Sequence, residues 1–130
     1  SLVVSDLFFI SLTKVIDNLA KCAPQALQIL MVKPQFEVGK GRVGAGGVVR
    51  EPELRVEAVT QVANFAQSVG LNVVAVAPSP LPGPAGNVEY FLLLAPENAV
   101  DLPTLDGAVL EEAIRSAIRN GPQEGTGKQA

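Results

Sequence analysis

Short runs of β-branched and aliphatic residues alternate along this chain with stretches of helical period, and that alternation commits it to a layered α/β fold. Residues 2–5 (Leu-Val-Val-Ser) are one such run, ended by Asp6 as a buried parallel strand ends at its carboxyl edge. Phe9, Leu12, Val15, Ile16 and Leu19 then recur at helical spacing until Pro24. Residues 26–33 form a second apolar run, closing on Lys33-Pro34, where proline can no longer donate to a ladder. From Gln35 to Val49 the chain is rich in glycine and without period, which predicts a long loop. Pro52 opens a helix predicted over 52–69, with Val59, Val62, Ala63, Ala66 and Val69 inward and Gly70 as its left-handed stop. Residues 71–77 and 88–94 predict a third and a fourth strand, joined by a connector of alternating proline and glycine. Asp106 caps a last helix whose Val109, Leu110, Ala113, Ile114, Ala117 and Ile118 face inward, stopped by Gly121-Pro122. The expected fold is therefore one α/β domain over 1–121 whose sheet ends in an antiparallel strand pair, with 122–130 a disordered tail.

Composition narrows the chemistry. The chain has 130 residues, 48% of them hydrophobic, enough for a single core. It has one cysteine, Cys22, and no histidine, which excludes an internal disulfide, a multi-cysteine zinc site and every Ser-His-Asp or Cys-His scheme. Acid–base work falls to Lys, Asp, Glu or Tyr. No stretch of about 18 apolar residues exists to cross a bilayer, and the opening segment lacks a basic leader and carries Asp6, so the expectation is a cytoplasmic protein without a signal peptide or membrane partner. The net charge of −3 argues against attraction of the whole molecule to nucleic acid. The first fifty residues nevertheless carry six basic and three acidic side chains, a local excess suited either to a polyanion or to an ordinary solvated face.

Gly39, Gly41 and Gly44 match G-x-G-x-x-G, but five residues separate them from Lys33 and no helix opens at Gly44, so a mobile loop fits better than a dinucleotide fingerprint. Three ionisable residues fall at strand boundaries: Asp6, Lys33 and Glu89. Parallel strands share one carboxyl edge and an antiparallel strand begins there, so the three can converge on one cleft. A lysine between two carboxylates in a partly dry cleft can help remove a proton from a hydroxyl while the carboxylates hold it. Lys40, Arg42 and Arg50, on the segment after the second strand, can grip phosphates.

The segments V-V-S-D-L-F-F-I-S-L at 3–12, V-K-P-Q-F-E-V-G-K-G at 32–41, G-G-V-V-R-E at 46–51 and S-P-L-P-G-P-A-G-N-V-E-Y-F at 79–91 resemble the TlyA family, hemolysin A-like proteins within the FtsJ-like ribosomal RNA methyltransferases. The resemblance implies the C-terminal half of a Rossmann-like class I methyltransferase, which uses S-adenosylmethionine to methylate a ribose 2′-hydroxyl of ribosomal RNA. The family's catalytic set is Lys, Asp, Lys, Glu, and its last three members match Asp6, Lys33 and Glu89. The implied partners are ribosomal RNA or ribosomal subunits. Phe8 departs from the serine usual in the family's D-L-S-F motif, beside the catalytic Asp6. The family's first catalytic lysine and its main cofactor loop would lie upstream of Ser1, leaving only the vicinity of Asp6 to touch S-adenosylmethionine. The chain alone is accordingly expected to bind that cofactor weakly or not at all and to be inactive by itself. Residues 2–5 would then form an exposed sheet edge, for which a homodimer is the expectation. The alternatives are a non-catalytic RNA-binding or assembly module and, from the hemolysin name, a membrane-active protein.

Overall fold

The computed structural model describes residues 2–5, 27–37, 47–81, 86–96 and 102–122. Four strands, β1 (Leu2–Ser5), β2 (Leu27–Val32), β3 (Leu71–Pro78) and β4 (Tyr90–Pro96), form one sheet in the order β1-β2-β4-β3. Among the described residues there are also a single helical turn, α1 (Pro34–Glu37), and two longer helices, α2 (Pro52–Ser68) and α3 (Gly107–Asn120). β1 runs parallel to β2, starting at Leu2 opposite Leu27. β4 is antiparallel to both of its neighbours, with Val32 opposite Tyr90 on one side and Pro78 opposite Tyr90 on the other. The expected antiparallel pair is thus present, and its last strand is inserted between the second and third rather than added at the rim.

The pleat sorts the side chains. In β2 burial alternates, with Gln28, Leu30 and Val32 buried and Leu27, Ile29 and Met31 half-buried. Leu30 and Val32 join Tyr90, Leu92 and Leu94 of β4 and Val73 of β3 in a core closed by α2 and α3. Val59, Val62, Ala63 and Ala66 of α2 are wholly buried there, the period-3.6 stripe meeting the sheet. Each fully buried Leu or Ile contributes about 1.5–3 kcal/mol through removal of apolar surface from water. Gly70, at φ +89°, ends α2 in the left-handed region as its position predicted.

Four expectations need correction. The loop expected from Gln35 begins with the helical turn α1, because Pro34 has its φ pre-set for a first turn and its missing N–H has no intrahelical partner to lose. β4 starts at Tyr90, not Val88. Asp106 stands at the N-cap of α3, but its side chain makes no capping hydrogen bond; its carbonyl receives Val109 N–H at 3.0 Å and Leu110 N–H at 3.1 Å. Val109 is 63% exposed, since Leu110, Ile114, Ala117 and Ile118 already define the inward stripe and Val109 sits on its flank; Ala113 is half-buried. The helix expected from Phe9 to Pro24, the glycines from Gly39 to Gly46 and the tail from Gln123 lie outside the described residues.

Candidate active site

Lys33 follows β2 directly and Glu89 immediately precedes β4. The last ladder pair between these strands is Val32 with Tyr90, so one further step of the antiparallel register sets Lys33 opposite Glu89. The ladder to β3 does extend that far: Ser79 N–H donates to the Glu89 carbonyl at 2.8 Å. Directly opposed residues have Cβ atoms about 4.5–5.5 Å apart, and the alternation of the pleat gives the two the same side of the sheet. Both are buried, Lys33 at 3% and Glu89 at 5% exposure. A buried lysine and a buried carboxylate thus meet at the carboxyl edge of β2. Water-poor surroundings strengthen each charge's hold on the other and on whatever enters between them.

Asp6 follows Ser5, whose β1 position pairs with Leu30, but Asp6 itself lies outside the described residues, as do Phe8, Lys40 and Arg42. Arg50 is exposed on the segment leading into α2. Of the six residues singled out from sequence, the described structure brings Lys33 and Glu89 together and sets Arg50 nearby in the chain from a clamp that reaches Glu89's own segment.

That clamp is built by Asn87, two residues before Glu89 and 1% exposed. Its Nδ2 donates to the Gly47 carbonyl at 2.8 Å, and its Oδ1 accepts Val49 N–H at 2.8 Å. The side-chain amide therefore acts as one rung of a ladder, fixing 47–49 against 86–89. Gly47 has φ +76° with open space where a Cβ would stand, so its conformation rather than crowding calls for glycine. On the far side, Arg55 Nε donates to the Val49 carbonyl at 3.2 Å. Arg55 has no exposure, and its guanidinium lies beside the Tyr90 hydroxyl. Burial pushes the Tyr90 phenol above its ordinary pKa, while the Arg55 charge pulls the other way.

Asn87, Arg55 and Tyr90 were not among the residues predicted from sequence. Arg55 did leave a signal: it stands four residues before Val59, on the apolar stripe of α2, where a charge is out of place. Asn87 left none, because a lone Asn after a glycine reads as an ordinary turn residue.

The model of the FtsJ-like methyltransferase family matches residues 1–95. The 16S/23S rRNA (cytidine-2′-O)-methyltransferase TlyA of Mycobacterium tuberculosis is 52% identical over 122 residues, covering 93% of this chain and 44% of that protein. Hemolysin A of Brachyspira hyodysenteriae is 34% identical over 92 residues, covering 70% of this chain and 38% of that protein. A solved structure of a hemolysin candidate from Streptococcus thermophilus superposes with a TM-score of 0.76 at 30% identity, covering 92% of this chain and 42% of that one. The chain spans less than half the length of these proteins.

Proposed function

The chain belongs to the FtsJ-like methyltransferase family, and from that premise we propose that it carries the acceptor-side catalytic groups of an S-adenosylmethionine-dependent ribosomal RNA ribose 2′-O-methyltransferase. The observation that carries the reading is the burial of Lys33 and Glu89 at register-opposed positions on one sheet edge. The name of the mycobacterial relative, an rRNA 2′-O-methyltransferase, supports it.

S-adenosylmethionine, when bound, supplies an electrophilic methyl group. The described residues do not form a cradle for it: past β2 the chain enters Lys33 and the single turn α1, with no glycine-rich turn feeding a long helix. They suit the other reactant. A ribose hydroxyl entering the edge meets the Lys33 nitrogen, which promotes its deprotonation, while Glu89 orients that nitrogen across the ladder. Asp6, at the end of β1, is proposed as the second orienting carboxylate. Holding the oxygen in line with its target accounts for much of the acceleration through lost translational freedom. Arg50, with Lys40 and Arg42, would grip phosphates of the RNA and leave sequence choice to other contacts. With ribosomal RNA or a ribosomal subunit as the partner, the reading puts the protein in the cytoplasm; among the described residues no helix is long and apolar enough to cross a membrane.

The test is methyl transfer from labelled S-adenosylmethionine to ribosomal RNA, comparing this chain with a form extended upstream to the relatives' length. Activity only in the extended form is expected, with the chain alone binding S-adenosylmethionine weakly or not at all in calorimetry. In the extended form, Lys33→Ala should lower turnover by about 10²–10⁴-fold, the usual worth of a positioned proton-transfer group, and leave RNA binding intact. RNA binding without transfer in every form would establish the non-catalytic RNA-binding module instead. Dye release from liposomes at micromolar protein would favour the membrane-active alternative.

A further inference from the structure

Arg55 is the largest fully buried side chain among the described residues, and only one of its three guanidinium nitrogens has a hydrogen-bond acceptor. Nη1 and Nη2 are buried without one, and so is the Tyr90 hydroxyl beside them. A charged group out of water with two nitrogens lacking acceptors costs stability, and apolar replacement even of properly paired buried ions is often neutral or stabilising. Nothing in the core calls for the charge: Val59, Val62 and Ala66 on the same stripe are apolar. Local rules of folding are broken in this way at functional sites.

The neighbours of Arg55 indicate which function. Its Nε holds the Val49 carbonyl, and the amide of that same residue is held by Asn87, two residues from Glu89. Tyr90 is the residue after Glu89, and it pairs with Val32, the residue before Lys33. Both ends of the buried guanidinium thus bear on backbone one or two residues from the proposed catalytic pair. We propose that Arg55 is a positioning residue for the methyl-transfer reaction, holding segment 47–49 and the start of β4 so that Glu89 is aimed at Lys33, and that it is retained at a cost to stability. The inference rests on the methyltransferase reading for the reaction it serves, though not for its structural part.

The experiment is Arg55→Met, with Tyr90→Phe as its companion. In this chain, Arg55→Met is expected to melt at or above the parent temperature. Amide exchange at Val49 and Tyr90 should accelerate tenfold or more, while Leu92 and Leu94 in the middle of β4 exchange as before. In the extended form, kcat should fall about tenfold or more, with KM for RNA and for S-adenosylmethionine within about twofold, the pattern of lost transition-state alignment rather than lost binding. Tyr90→Phe should reproduce the kcat effect in weaker form without lowering the melting temperature. A melting temperature lowered by more than about 5 °C, or a variant that does not fold, overturns the proposal, because Arg55 would then be an ordinary stabilising part of the core. Unchanged exchange at Val49 and Tyr90 overturns it too. If the unsubstituted extended form transfers no methyl group, the enzymatic reading fails by itself. Melting and exchange in this chain then decide the holding role of Arg55 separately.

Discussion

Asn87→Ala should cost far more stability than one polar side chain usually does, because two backbone groups depend on it. The Gly47 carbonyl, on an exposed residue, regains water when Nδ2 is removed, so its loss is a net hydrogen bond of about 1 kcal/mol. The Val49 N–H belongs to a residue 1% exposed and has no such recourse. An unsatisfied buried donor costs about 1–3 kcal/mol, so the sum is about 2–4 kcal/mol. For a domain of this size that corresponds to a fall in melting temperature on the order of 10 °C. Urea unfolding followed by circular dichroism measures it. Asn87→Asp gives an independent handle. It keeps an acceptor for Val49 but sets a second carboxylate oxygen against the Gly47 carbonyl. Burial and that repulsion raise the folded-state pKa above the unfolded value of about 3.9. The variant should therefore be least impaired near pH 4 and below, and lose stability relative to the parent as pH rises through the raised value. An alanine variant within about 0.5 kcal/mol of the parent, typical of an unimportant surface change, or an aspartate variant indifferent to pH, would refute the clamp.

Other consequences are simpler. Gly121 has no room for a side chain: an added Cβ would lie 2.6 Å from Pro78 Cβ and 2.8 Å from the Ala117 carbonyl oxygen. Gly121→Ala should cost about 1–3 kcal/mol by overpacking the junction of α3 with β3, read as a lowered urea midpoint. Ile114→Ala, at 1% exposure, should cost about 2–4 kcal/mol, whereas Val109→Ala, at 63%, should stay within about 0.5 kcal/mol; equal effects would contradict the facing of α3. If β1 pairs with a second copy through its outer edge, light scattering will show mass rising above 13.5 kDa with concentration, whereas a monodisperse species of that mass excludes the homodimer.

How much of this was legible in the sequence depended on the range of the interactions involved. The α2 stripe from Val59 to Ala66 and its stop at Gly70 are local patterns, and both stand where periodicity put them. Lys33 and Glu89 were found because each abuts a strand, and strand edges are where chemistry gathers in such sheets. Gly121 was read as a helix stop of the left-handed kind, but its φ is −87° and its reason is contact with Pro78, more than forty residues earlier, which no local pattern encodes. The Asn87 clamp joins residues 38 and 40 positions apart, and it was invisible for the same reason.

The insertion of β4 explains why the site needs so little chain. A parallel strand in its place would bring its carboxyl end to the edge where β2 ends, and Glu89, which precedes the strand, would be left at the opposite edge of the sheet. Because β4 is antiparallel to β2 and β3, its first residue arrives where theirs finish, and the connector from Ser79 to Glu89 turns back at that edge without crossing the sheet. The same reversal places Asn87 within reach of segment 47–49, which leaves that edge on its way to α2. Orientation of one strand therefore supplies the acid opposite Lys33 and the amide that fixes the neighbouring segment. A sheet with β4 reversed could keep most of its hydrophobic core, but it would separate Glu89 from Lys33 and lose the candidate site.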